Sequence, residues 1–116
     1  MWTKVQANSN ATLTFDWYVD DNGLDNNDDI WVKARMWNGT EMVYLGSQTG
    51  GGNDDSYADI LYDRNPNDQG GSESINVASH ITGTGSYYLE LGARVRDWDN
   101  NEWADVSFDD LNLVIY

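Results

Sequence analysis

The sequence predicts an all-β fold, an antiparallel β-sandwich, from three observations. Apolar residues recur with period two through most of the chain, and the stretches between those runs are rich in Gly, Asn and Asp. No segment carries the 3.6-residue spacing of an amphipathic helix. The 116 residues suffice for one core, so 1–116 is read as a single domain.

Taken in order, Trp2–Ala7 is the first candidate strand. In Ala11–Val19, Leu13, Phe15, Trp17 and Val19 point inward, while Thr12, Thr14, Asp16 and Tyr18 point outward. Ile30–Asn38 alternates Ile30, Val32, Ala34 and Met36 with Trp31, Lys33, Arg35 and Trp37, and Asn38-Gly39 is a hairpin signal toward Glu41–Ser47. A Gly/Asp loop leads to Tyr57–Asp63. The segment RNPNDQGG, with the sole proline, reads as a further loop before a short strand at Glu73–Val77. Ser86–Arg96 turns Tyr87, Leu89, Leu91, Ala93 and Val95 inward. In Ala104–Tyr116 the apolar parity changes near Asp109-Asp110, which predicts a β-bulge. That makes about eight strands with turn-rich connections, a sandwich rather than a propeller or solenoid, because no repeat of structural length is present. One short echo does occur, LDNNDDIWV (24–32) against WDNNEWADV (98–106).

Composition narrows the function. Twenty Asp and Glu against six Lys and Arg give a net charge of −14, which argues against nucleic acid and anionic membrane as partners. No apolar run approaches the ~20 residues of a membrane span. Without cysteine there is neither a disulfide framework nor thiolate chemistry. No signal peptide precedes Trp2, and the N-terminus reads as the start of a module excised from a larger protein. Six Trp, seven Tyr and clear alternation argue against disorder as the outlet for self-repulsion, leaving bound divalent cations or a salty habitat.

The acidic residues gather with Asn and Gly in loops, the oxygen-rich chemistry that calcium prefers. The loop VDDNGLDNNDD (19–29) offers Asp20, Asp25 and Asp28 as metal ligands, although it lacks EF-hand spacing and its plainer reading is a solvated loop whose Asx side chains cap their own turns. DWDNNEWAD (97–105) is a second such loop. One histidine and no thiolate serve transition metals poorly. That histidine, His80 in ASHITG, has nothing to orient it as a base. Among 20 acids no carboxylate pair stands out, so no enzyme is read here.

Two tryptophans beside two cations on the outward side of Ile30–Asn38 pose the sharper question. Trp31 and Trp37 stand roughly 20 Å apart at about 3.3 Å per residue. Tyr88, Glu90, Arg94 and Arg96 share the outward parity of Ser86–Arg96. Fully burying a Trp sheds ~150–250 Å² of surface, so either a partner covers these rings or the fold does. Long loops can lie over this face, with Lys33 and Arg35 paired to aspartates. Alternatively the rings stack on sugars while charged groups and amides bind hydroxyls.

The stretches ATLTFDWYVD (11–20), YYLELGARVRDWD (87–99) and ADVSFDDLNLVIY (104–116) resemble the β-jelly-roll carbohydrate-binding modules attached to microbial polysaccharide hydrolases. That resemblance implies a secreted, non-catalytic module of a larger multidomain hydrolase, binding plant cell-wall β-glucan such as cellulose or xyloglucan, or xylan, with structural calcium. It places a calcium ligand at Asp109 or Asp110. The short segment before the first strong strand departs from the family pattern, and the acidic loop 20–29 is then expected to supply other ligands. Trp31, Trp37, Trp98 and Trp103 are expected to stack on sugar, with Lys33, Arg35 and Tyr88 beside them. The alternative is a structural or adhesive module of a surface protein, stiffened by calcium, whose tryptophans meet a neighbouring domain.

Overall fold

The structure, a computed structural model, describes residues 2–5, 10–49, 58–64, 66–80, 85–97 and 101–115. Among the described residues ten strands run in chain order: β1 (Trp2–Val5), β2 (Ala11–Asn22), β3 (Asp29–Trp37), β4 (Met42–Tyr44), β5 (Gln48–Thr49), β6 (Ala58–Asp59), β7 (Leu61–Arg64), β8 (Gln69–Asn76), β9 (Gly85–Arg96) and β10 (Trp103–Ile115). A 3₁₀ turn, Ala78–His80, lies between β8 and β9. No helix among the described residues is long and apolar enough to cross a membrane.

Two antiparallel sheets form a sandwich. The larger orders β1-β9-β3-β4, with β7 also on β3; the smaller orders β10-β2-β8. The expected alternation sets which faces meet. Leu13, Phe15, Trp17 and Val19 of β2 pack against Ile30, Val32, Ala34 and Met36 of β3, all buried. Phe108 of β10 meets Phe15 edge-on at 6.2 Å.

Local departures have local causes. The partner of β3 is split. β4 and β7 hold its two ends, and between them the chain leaves and returns as the small β5–β6 ladder. At that neck Leu45 N donates to Ala34 O (2.8 Å) and Ile60 N to Val32 O (2.9 Å). A Cβ on Gly46 would lie 1.9 Å from the Asp59 carbonyl carbon, so only glycine fits there. β8 begins at Gln69, inside the stretch expected to be a loop. Gly70 and Gly71 are strand residues whose lack of a side chain clears the Trp17 and Tyr18 rings, 3.0–3.1 Å from where a Cβ would stand. The hairpin after β3 closes through Asn38, whose Oδ1 accepts from the backbone N–H groups of Thr40 and Glu41, with Gly39 at φ 98°. The expected bulge is present: register shifts between Asp109 and Asn112, and Asp110 takes the left-handed region at φ 53°.

Candidate functional site

Register on β3 and β9 builds the outer face of the larger sheet as a series of rows. Trp37 pairs with Tyr88, Arg35 with Glu90, Lys33 with Gly92, Trp31 with Arg94 and Asp29 with Arg96. Trp37 and Tyr88 are 40% and 44% exposed and side by side. In the next row Arg35 donates Nε to Glu90 Oε1 (2.9 Å) and Nη1 to Tyr44 Oη (3.3 Å). Lys33 Nζ reaches Asp59 Oδ1 at 2.9 Å, tying β3 to the neck. The polar residues beside the exposed rings are therefore held by partners.

Trp31 corrects the expectation of a continuous tryptophan platform. Its side chain is fully buried although it lies on the outer face. The guanidinium groups of Arg94 and Arg96 lie over its ring at 5.0 and 5.5 Å, and Tyr62 packs beside it at 5.4 Å. Asp29, also fully buried, accepts from Tyr62 Oη (2.7 Å) and from Nε of Arg96 (2.9 Å), and so fixes the cover in place. The scarce cations here roof a small aromatic cluster, and no ligand can stack on Trp31. Trp103 is 47% exposed but lies elsewhere: opposite Asn22, on the outer face of the smaller sheet. Trp37 and Trp103 thus occupy opposite surfaces and cannot share one ligand ring. Trp98 lies outside the described residues.

The acidic loops come together at one end of the sandwich, because β2–β10 register sets Asn22 opposite Trp103. In the first loop Asp21 Oδ1 caps Leu24 N (3.0 Å), Asp28 Oδ2 caps Asp25 N (2.9 Å), and Leu24 is buried as an anchor. Gly23, at φ 93°, lets the chain pass beneath Glu102, whose Cγ lies 3.3 Å from where a Cβ on Gly23 would be. Asn101 at φ 68° turns Glu102 inward from the second loop. One carboxylate oxygen each from Asp25, Asp28 and Glu102 then falls within 4.8 Å of the others. A hydrogen bond with Asp28, burial, and the charges of Asp28, Asp25 and Asp97 push the Glu102 carboxyl up to about 7. Its Oε2 is buried without a hydrogen-bond partner.

Of the five expected metal ligands, this cluster holds Asp25 and Asp28. Asp20 faces outward on β2 opposite Asp105. Asp109 and Asp110 sit at the bulge on the outer face of the smaller sheet. There the Asp110 carboxyl is raised by its hydrogen bond to Asp16, whose own value is lowered by Ser72 and then by Asp110. The left-handed turn directs Asp110 toward Asp16 rather than toward the loop cluster. Glu102 is the one member of the cluster outside the expected ligands, and the echo between 24–32 and 98–106, which sets Glu102 against Asp28, is its only signal in the sequence. His80 lies at the end of the 3₁₀ turn, and its carbonyl accepts from Asn38 Nδ2 at 3.3 Å. Comparison with protein-family models, with curated proteins and with solved structures found no match to this chain.

Proposed function

We propose that this chain is a non-catalytic polysaccharide-binding module whose ligand face is the outer face of the larger sheet. The observation that carries this reading is the adjacent, exposed Trp37–Tyr88 pair, flanked by the braced Arg35–Glu90 row. Two rings side by side on a rigid sheet suit the CH faces of a pyranose, while Arg35, Glu90 and Tyr44 offer donors and acceptors to its hydroxyls. The ligand class is plant cell-wall polysaccharide, β-glucan or xylan, and the parent is a secreted multidomain hydrolase. Incubating the chain with a panel of soluble and insoluble polysaccharides, with and without chelator, tests it. Failure to bind any of them removes the reading.

Calcium belongs to the same proposal, at Asp25, Asp28 and Glu102. The donors are all hard oxygens, as calcium requires, and the orphaned Oε2 of Glu102 would be satisfied by a cation beside it. The ion would join the loops that end β2 and precede β10, stiffening one end of the sandwich. A second reading, a calcium-stiffened structural or adhesive module, is favoured by the burial of Trp31 inside the fold's own surface.

A further inference from the structure

Alternation on β9 sets Ser86, Tyr88, Glu90, Gly92, Arg94 and Arg96 on the outer face of the larger sheet. Lys33 and Arg35 of β3 and Arg64 of β7 hold register positions in the same rows. Five of the chain's six cations, all those with described side chains, therefore belong to this one face. The outer face of the smaller sheet carries Asp16, Asp20, Asp105 and Asp109 instead. The two faces differ in sign, and the net charge of −14 hides that difference.

Three of the six are neutralised, in the pairs Lys33–Asp59, Arg35–Glu90 and Arg96–Asp29. Arg94 is not. It is exposed, it rests on the Trp31 ring, and among the described residues it meets no carboxylate. Two residues before it on the same face comes Gly92. A glycine inside a strand weakens it, and the usual reasons for keeping one are a bulge, a positive φ, crowding, or close approach by a ligand. The β3–β9 register runs unbroken through Gly92, its φ is not positive, and a Cβ there would meet nothing within 4 Å. The first three reasons fail. Gly92 leaves a gap in the face midway between Glu90 and Arg94, and Arg94 lies roughly 20 Å along the strand from Tyr88 at about 3.3 Å per residue.

We infer that the ligand of this face is a uronate-bearing polysaccharide that lies along β9, stacks sugar rings on Tyr88 and Trp37, passes over the backbone at Gly92, and sets a carboxylate against Arg94. This inference rests on the polysaccharide reading above and specifies its ligand. The aspartates of the opposite outer face oppose it little, since sheets stack about 10 Å apart and the Debye length is about 8 Å at physiological salt. A guanidinium already seated on an aromatic ring presents its free N–H groups to a carboxylate at low ordering cost.

The test compares binding of the calcium-loaded chain to a xylan bearing glucuronate side groups and to the same xylan after carboxyl reduction. The acidic form is expected to bind at least ten-fold tighter. Arg94→Met, which keeps an apolar cover on Trp31, should erase that ratio without weakening binding to the reduced xylan, and Arg94→Lys should restore part of it. Gly92→Thr should weaken binding to both xylans while the melting temperature stays level or rises. Equal binding of the two xylans by the unmodified chain overturns the uronate inference and leaves the stacking platform standing. No binding to either xylan or to any β-glucan overturns both. Concentration-dependent self-association in sedimentation, abolished by Arg94→Met, assigns the face to a second copy and likewise overturns the inference. If Arg94→Met fails to fold, Arg94→Lys and Gly92→Thr still decide.

Discussion

Glu102 and Asp28, drawn from loops at opposite ends of the sequence, share a hydrogen bond between their carboxyl groups, with Asp25 completing the trio. Two carboxyl groups can be joined in this way only if one holds a proton or a cation replaces it. The proposed calcium site can be tested at that junction. An ion held by the native state alone at a hundred times its dissociation constant adds ~2.7 kcal/mol, on the order of 10 °C for a domain of this size. Chelation should lower the melting temperature by about that much. Glu102→Gln should abolish most of the difference and Asp110→Ala should leave it intact. Identical melting curves with calcium and with chelator would dismiss the site.

The same pair sets a pH dependence. Glu102 is raised from an ordinary value of 4.5 to about 7, so the folded chain holds this proton more tightly than the unfolded one. Its contribution to stability is fully present below about pH 4.5 and lost as pH rises through about 7. The metal-free protein should therefore lose stability across that window. Calcium must displace the proton, so its apparent affinity should climb over the same range. Thermal unfolding and calcium titration at pH 5, 6, 7 and 8 check both. A calcium affinity flat with pH would show that Glu102 is not a ligand.

Trp37 and Trp31 lie on one strand and one face, yet they should respond in opposite ways. Trp37→Ala removes an exposed ring and should change stability by less than ~1 kcal/mol while weakening polysaccharide binding. Trp31→Ala empties a buried site roofed by Arg94, Arg96 and Tyr62 and should cost ~3–5 kcal/mol. Denaturant unfolding beside binding isotherms separates them. An unfolded Trp37→Ala variant would make that ring structural and end its role as a platform.

How much of this was legible follows from the range of the interactions. Period-two alternation is local, so the inward residues of β2 and β3 and the Asp109-Asp110 bulge could be read from the sequence, whereas Ala93 and Val95, expected inward on β9, are exposed. The fate of Trp31 could not. Parity puts it outward, and only the register of β7 and β9 brings Tyr62, Arg94 and Arg96 over it. Gly70 and Gly71 read as a turn because glycine usually marks one, whereas here it clears two rings on a neighbouring strand. Glu102 needed the pairing of β2 with β10 before the two acidic loops became one cluster.

The final prediction concerns Asp29, which holds the roof over Trp31. Its carboxylate is fully buried and accepts from Tyr62 and Arg96, while the Arg96 side chain keeps 23% of its surface in contact with water. Removing one partner of a buried ion pair strands the other, at ~3–5 kcal/mol. Because Arg96 can turn back toward solvent, Asp29→Ala should fall at the lower end, about 3 kcal/mol. Asp29→Asn keeps an oxygen for Tyr62 or Arg96 and should cost roughly half as much. Both should expose Trp31, seen as a red shift in tryptophan emission before global unfolding. Asp20→Ala, which removes an exposed carboxylate from the crowded acidic face, should stay within ~0.5 kcal/mol of the parent. A loss below ~1 kcal/mol for Asp29→Ala, with emission unchanged, would mean that the two arginines cover Trp31 without Asp29 to anchor them.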